Sequence, residues 1–476
     1  MTPWLIQLAA TPEDHVPTGH LVGYEDYVTF IAKMEWGKAG HWTYANRYTP
    51  EPTESVPIYG FYLFLGHLSE WTGLSTVWVF HLARSALGAA ALICWWLFCR
   101  RYSAQPAVAC ALGLFASFGF FKLFGEELWV YEHFVQGHAA YMGILGFPHY
   151  LVDFLAVLAL FHAYLSGRSV PLLAALAGAG LGPVHPFLLA LFPVIPVVHA
   201  VCFDRAKLRL ALTIAAWAGI ASAPVVVPQL IAYIQTPWLQ EWRAQTGYDA
   251  LWWEGLIRLC FTYGIAGVLA WGSLAWVLRR GSEVEKVCAA WLMTAAALLF
   301  FAPIPNSREF AFFISLPVGL LAAPHVARFA ERVAPARHKL AAVAAVVLCC
   351  AHGLTMLGTV VIPHADTYHP KAVVEGLKWL EAESGPDDAV LCSWAAGSFV
   401  PMYILHPRPW VGHPTETLDF ANKEKLVKPA FEGKEPPPTR WAVIVKKIDR
   451  ELPIPNALPA YENDEIAIWE TGAWKG

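Results

Sequence analysis

Glu25 and Asp26 are adjacent carboxylates in a polar stretch, GYEDYVTFIAKMEWG, that precedes the first long apolar segment of the chain. A carboxylate within hydrogen-bond reach of a hydroxyl can serve as its general base. Asp26 is the expected base, with Glu25 as its neighbour or as a metal ligand. Adjacent residues on a helix point about 100° apart, so only one of the two can face a given pocket squarely. The pair would equally suit the first turn of a helix, where the macrodipole favours negative charge.

Other polar residues stand in or beside apolar segments. Arg84 lies inside one, with His81 one turn before it on the same face. A charge at that depth is costly and marks a functional candidate by default, with snorkelling to the interface as the bland alternative. Arg308, in PIPNSREF, and Lys122 fall near segment ends, as anion ligands or boundary anchors. Glu132, His133 and His149 belong to a loop whose carboxylate and imidazole groups could hold a divalent ion, although no strict ligand spacing is present. His185 stands between two prolines in GPVHPF, where irregular backbone at membrane depth should line a cavity.

These residues need a scaffold, and the composition names its class. The chain is 57% hydrophobic and only 15% charged, against about 25% charged for soluble domains. The reading is an integral membrane protein, with 22 Trp and 17 Tyr available for interfacial belts. A net charge of −4 is too small to indicate nucleic acid as a partner. The nine cysteines form no CxxC pair, and eight of them lie in apolar segments, where cysteine acts as a small hydrophobe. Gly-rich phosphate loops, nucleophile elbows and nucleotide fingerprints are absent.

Apolar stretches long enough to span fall near 77–99, 105–124, 148–166, 209–234, 256–278, 285–302, 309–328 and 339–361. The run 170–203 reads as two short helices joined by a turn at Gly182–Pro186. Together they predict about ten to eleven spans. Arginines and lysines collect in alternate short loops, which the positive-inside rule makes cytoplasmic. The loop carrying Asp26, the loop of Glu132 and His133, the turn at His185 and the C-terminal tail then face the other side. Residues 56–72 read as an interfacial amphipathic helix, and Met1–Ala10 as the tail of a first helix. The tail carries a helical pattern, KAVVEGLKWLEAE, and three strand-like runs, AVLCSW, RWAVIVKK and EIAIWET. Three regions result: an external N-terminal segment 1–76, a transmembrane bundle 77–361, and an extracytoplasmic α/β domain 362–476.

The order of segments resembles a known family. An acidic pair opens a helix; then come a Gly-rich turn with aromatics, the run Asn46-Arg47-Tyr48-Thr49-Pro50-Glu51-Pro52, and a helix ending Leu65-Gly66-His67-Leu68. Later segments continue the likeness: FHLARSALGAAAL, ELWVYEHF before Phe147-Pro148-His149, GPVHPF, NSREF and VGHPTET. The chain is similar to the GT-C superfamily of polytopic membrane glycosyltransferases that use polyprenyl-phosphate sugars, in a bacterial branch. The resemblance implies a mainly α, GT-C-like helix bundle in the bacterial inner membrane, with the active side and the tail domain extracytoplasmic. It implies a sugar passed from a polyprenyl-phosphate donor in the outer leaflet to a hydroxyl of a glycan, lipid or protein, with inversion.

A lipid phosphate leaves as a stable anion and needs no general acid, whereas the acceptor hydroxyl needs a base, Asp26. Arg84, Arg308, Lys122 and His185, with His81, Glu132, His133 and His149 around them, or a divalent metal (Mg or Mn), would meet the phosphate charge or the substrate. Two other classes fit a helix bundle with buried Arg and His: a lipid or glycan transporter or flippase, and a non-catalytic assembly protein. The inverted repeat and paired broken helices of many transporters are not evident.

Overall fold

A computed structural model of the chain describes residues 1–117, 140–246, 259–301, 307–360, 362, 364–435 and 438–473. In chain order its helices are α1 (Thr2–Ala9), α2 (Tyr24–Lys38), α3 (Gly60–Thr72), α4 (Thr76–Tyr102), α5 (Pro106–Phe115) and α6 (Ala140–Leu145). There follow α7 (Pro148–Ser166), α8 (Val170–Val184), α9 (Val194–Phe203), α10 (Leu208–Gln235), α11 (Pro237–Thr246) and α12 (Gly264–Arg280). The last are α13 (Glu283–Phe301), α14 (Ser315–Val333), α15 (His338–Thr359), α16 (Lys371–Glu383), α17 (Trp394–Tyr403) and α18 (Phe420–Phe431). The strands are β1 (His15–Pro17), β2 (Tyr368–Pro370), β3 (Ala389–Leu391), β4 (Arg408–Pro409), β5 (Trp441–Val445), β6 (Tyr461–Glu462) and β7 (Ile466–Glu470).

Among the described residues, six helical segments are long and apolar enough to cross a membrane: Thr76–Tyr102, Pro148–Ser166, Pro186–Phe203, Arg205–Gln235, Glu283–Phe301 and Pro335–Gly358. Shorter apolar helices occupy Pro106–Phe115 and Val170–Val184. The protein is a multi-pass membrane protein. The break expected at Gly182–Pro186 is present: α8 ends at Val184, and a 3-10 turn, Pro186–Ala190, leads towards α9. One expected span shifts. Residues 309–328 do not form one helix, because a 3-10 turn ends at Ala311 and Phe313 adopts φ 58° before α14 begins at Ser315. A left-handed phenylalanine interrupts the i→i−4 ladder.

The chain divides into two compact units, one of Met1–Leu82, Pro228–Gly247 and Val361–Gly476, the other of Ala83–Val227 and Tyr248–Val360. The second is the helix bundle. Its core runs through Trp95, Phe154, Phe161, Phe192, Trp291 and Phe313. There α5 and α14 meet backbone to backbone, since a Cβ on Gly319 would stand 2.3 Å from the Gly113 nitrogen. Small residues at such crossings are the usual means of close packing between membrane helices.

In the first unit, α2 opens after Gly23, whose φ of 62° turns the chain, and carries Glu25 and Asp26 in its first turn and Lys38 in its last. Both ends complement the dipole. Helix α3 packs on α2 through Gly37 and Gly66, where a Cβ would meet the Leu63 and Met34 carbonyl oxygens at 2.3 and 2.1 Å.

The tail forms a five-stranded sheet in the order β4-β3-β5-β7-β6. Strand β3 runs parallel to β4 and β5, and β5 pairs antiparallel with β7 from Trp441↔Glu470 to Val445↔Ile466. All five residues of β5 and four of β7 are buried, which suits their continuous apolar runs. Strand β1 adds a separate antiparallel pair with β2, His15↔Pro370 to Pro17↔Tyr368, tying the N-terminal segment to the tail.

Candidate active site

The first turn of α2 divides its side chains between two sets of neighbours. Tyr27 is buried and its hydroxyl donates to the Thr18 carbonyl at 3.0 Å. Tyr24 reaches His369 Nε2 at 2.9 Å. With these two anchored, Glu25 and Asp26 are left exposed. The expected divergence of the acidic pair is present, because the two carboxylates keep different company.

Glu25 lines a cavity of about 460 Å³ whose wall includes Tyr24, Asp366, His369, Trp394, Phe399 and Arg450. His369 is hydrogen-bonded on both ring nitrogens, to Tyr24 and, at 2.9 Å, to the Tyr403 hydroxyl. Burial, helped by His20, pushes the His369 imidazole down to about 3, so the ring is neutral. His20, bonded to Thr18 Oγ1 at 3.0 Å, is likewise pushed down to about 4 by burial.

Asp26 begins the other stripe, through Thr29 and Lys33 at helical spacing. Its carbonyl accepts from Thr29 Oγ1 at 2.9 Å. Lys33 is 1% exposed and pairs with Glu416 at 2.8 Å, with Thr29 Oγ1 at 3.1 Å and the Tyr59 ring centroid at 4.0 Å. The Tyr59 phenol is raised well above its ordinary value, first by burial and then by Glu416, with Asp26 contributing. Asp26 is therefore electrostatically coupled to this stripe through Tyr59.

The segments Asn46–Glu51 and Gly412–Thr417, both prominent in the sequence, lock together. Asn46 donates to the Glu416 carbonyl at 2.7 Å, and Thr417 Oγ1 donates to the Tyr48 carbonyl at 2.7 Å while accepting from the Gly412 nitrogen at 2.9 Å. Glu51 pairs with Lys423 at 2.6 Å and accepts from Thr49. Arg47 is buried, donates to the Ile404 carbonyl at 2.8 Å and lies 5.1 Å from the Trp36 ring. These contacts tie the two segments together, while Arg47 Nη1, the Tyr48 hydroxyl and His413 Nε2 stay buried without a hydrogen-bond partner among the described residues.

His81 is fully buried, stacks on Trp4 with centroids 4.6 Å apart, and bonds the Gly19 carbonyl at 2.8 Å. Its part is to hold the N-terminal segment. Within the bundle unit, Arg84 is 4% exposed and donates to the Ile144 carbonyl at 3.2 Å. His185 pairs with Asp153, a fully buried carboxylate on α7. His149 lies beside it, ring centroids 5.0 Å apart; Tyr150 stacks on the same imidazole at 5.5 Å and Phe312 meets it edge-on at 5.3 Å. The helix break thus presents an oriented histidine in an aromatic setting. Arg308 belongs to the 3-10 turn Ser307–Ala311, but its side chain lies outside the described residues. So do Lys122, Glu132 and His133.

Sequence reasoning missed Asp153, His369 and the Lys33–Glu416 pair. Asp153 carried a usable signal, being the one carboxylate of an apolar helix. Among the described residues no three His, Cys, Asp or Glu side chains come together as a metal site.

No family model and no curated protein matches the chain. Among solved structures it is similar to ArnT from Cupriavidus metallidurans, seen in a crystal structure of the apo state, with a TM-score of 0.54. The likeness covers 99% of this chain and 96% of that one at 13% identity. The fold is GT-C-like. The mainly helical bundle with a small C-terminal sheet, expected from sequence, is thereby accounted for. At this identity the likeness is one of architecture, and roles for individual residues rest on this chain's own geometry.

Proposed function

We propose that the protein is a GT-C-type glycosyltransferase of the bacterial inner membrane. It moves a sugar from a polyprenyl-phosphate donor to a hydroxyl of a glycan, lipid or protein on the extracytoplasmic face. The observation that carries this reading is the GT-C fold over the whole chain combined with an exposed carboxylate, Asp26, in the first turn of α2.

In the reaction, the Asp26 carboxylate takes the proton of the acceptor hydroxyl. The acceptor oxygen forms a bond to the anomeric carbon as the bond from that carbon to the lipid phosphate breaks, with inversion. The bonding pair leaves with the polyprenyl phosphate, which is stable as an anion. Arg84, Arg308, Lys122 and His185 are the candidates for the phosphate charge, with His185 oriented by Asp153.

The test supplies synthetic polyprenyl-phosphate sugars to the protein in nanodiscs and follows polyprenyl phosphate release and product mass. Asp26→Asn should lower the transfer rate by about 10²–10⁴, the usual worth of a general base. Normal transfer in that variant would overturn the assignment of Asp26. Lipid or glycan flux without product would favour a transporter, and a wild-type phenotype in cells carrying the variant a scaffold.

A further inference from the structure

We infer that the cavity beside Glu25 is a saccharide-binding site, seating a hydroxyl-rich segment of the acceptor next to the turn that carries Asp26. The inference rests on the transferase reading for its purpose, though not for its geometry. The cavity, about 460 Å³, is lined entirely by residues of the first unit. That size is within the ~300–1,000 Å³ common for small-molecule sites.

The wall chemistry selects the ligand class. Tyr24, Tyr368, Trp394 and Phe399 supply aromatic surface. Trp394 heads α17, where the Ser393 hydroxyl caps the helix by accepting from the Ala396 nitrogen at 3.1 Å, and its side chain is 36% exposed. An indole held at a rigid helix end is a suitable platform for the C–H face of a pyranose. Around it, Glu25, Asp366 and Arg450 make no hydrogen bond or ion pair through their side chains among the described residues. Ionised carboxylates can each accept several hydroxyl protons, and a guanidinium offers five donors.

At the back, the Tyr24–His369–Tyr403 chain can run in either direction with the tautomer of His369. Tyr24 can therefore offer the ligand a donor or an acceptor, as a sugar hydroxyl requires. The remaining charges cancel locally, Lys447 pairing with Glu465 at 2.6 Å. A wall with mixed and nearly balanced charge creates no strong field for selecting an ion. Apolar faces alternating with hydroxyl-pairing edges match a neutral saccharide.

Saturation-transfer NMR on the full-length protein in nanodiscs tests this, with maltotriose, chitotriose and tetramethylammonium as probes. Ring C–H protons of at least one trisaccharide should receive saturation. Trp394→Ala should weaken that binding roughly tenfold and Trp394→Phe much less, since the aromatic face is what is lost. Asp366→Asn, at an exposed position, gives a second variant in case Trp394→Ala misfolds, and should also weaken binding. Absence of saturation from both trisaccharides overturns the inference. So does saturation unaffected by either variant, or saturation of tetramethylammonium alone, which would mark a cation site.

Transfer assays separate this from the parent reading. If Trp394→Ala raises KM for the acceptor while kcat holds, both stand. Saccharide binding that persists in a protein with no transferase activity would leave the site and remove its proposed purpose. Transfer with unchanged KM and no saccharide binding would sink this inference alone.

Discussion

Two faces of α2 carry carboxylate chemistry in opposite circumstances. On one, Glu416 meets Lys33 in a dry setting walled by Phe30, Tyr44 and Tyr59. On the other, Glu25 faces a cavity and has no partner among the described residues. The first carboxylate is committed to its lysine, whereas the second is presented to a cavity. A buried ion pair costs desolvation and offsets it only when its geometry is complete, so it serves the fold. A solvated carboxylate at a cavity wall costs the fold little and stays available. Saturation of partners, more than residue type, separates the scaffold from the site.

The largest expected effect on stability is at the dry face. Lys33→Met leaves Glu416 charged, buried and unpaired, which should cost about 3–5 kcal/mol. Denaturant titration of the detergent-solubilised protein would show it. The double variant Lys33→Met/Glu416→Leu should recover most of the loss, because two apolar residues of similar volume remove the stranded charge. If the single variant is as stable as wild type, the distinction between the two faces fails.

A smaller loss is expected where α2 meets α3. Gly66→Ala would put a methyl group against the Met34 carbonyl at 2.1 Å, so the helices must part. A cost of about 1–3 kcal/mol follows for overpacking. The same change at Gly60, which has open space around its Cβ position, should be near neutral and serves as the control.

Much of this is legible in the sequence alone. The helix at Lys371–Glu383 and the strands at Ala389–Leu391, Trp441–Val445 and Ile466–Glu470 coincide with local patterns of period 3.6 and with short apolar runs. The opening of α2 at its acidic pair was visible because charge at a helix start is a local signal. What stayed hidden depends on partners far away in the chain. A three-residue strand ending in proline, His15–Pro17, gives no local sign that it pairs with Tyr368–Pro370. Likewise nothing near Lys33 announces Glu416, and nothing near Tyr24 announces His369. Asp153 was readable in principle, since an ionisable group in an apolar helix asks for a partner, and His185 supplies it.

The buried histidines of the first unit set an intermediate effect. His369, His20 and His413 are all held low, to about 3, 4 and 4, mainly by burial. A histidine depressed in the folded state binds its proton first in the unfolded state, so stability is full above about pH 6.5. It is lost progressively as pH falls from there through about 4 to 3. Each such histidine contributes up to ~1.4 kcal/mol per pH unit within the window. Glu35, raised by burial, works in the other direction and softens the slope. His369→Asn should flatten the fall of unfolding free energy between about pH 6.5 and 4 by up to one proton's worth, read from titrations at several pH values. An unchanged slope would mean that His369 is not held neutral.

The smallest expected change in stability is at Glu25, and it bears most directly on the contrast. The side chain is exposed and has no partner among the described residues, so Glu25→Gln should shift unfolding free energy by no more than about 0.5 kcal/mol. Among the described residues its dipole contribution in the first turn is the interaction lost, and salt screens it. The amide keeps the shape but exchanges one acceptor oxygen for a donor group. A stable variant with weaker saccharide binding is the outcome expected of a residue that serves a ligand. A loss of several kcal/mol would instead show that Glu25 is held by the fold as tightly as Glu416, and the two faces of α2 would then be two parts of one scaffold.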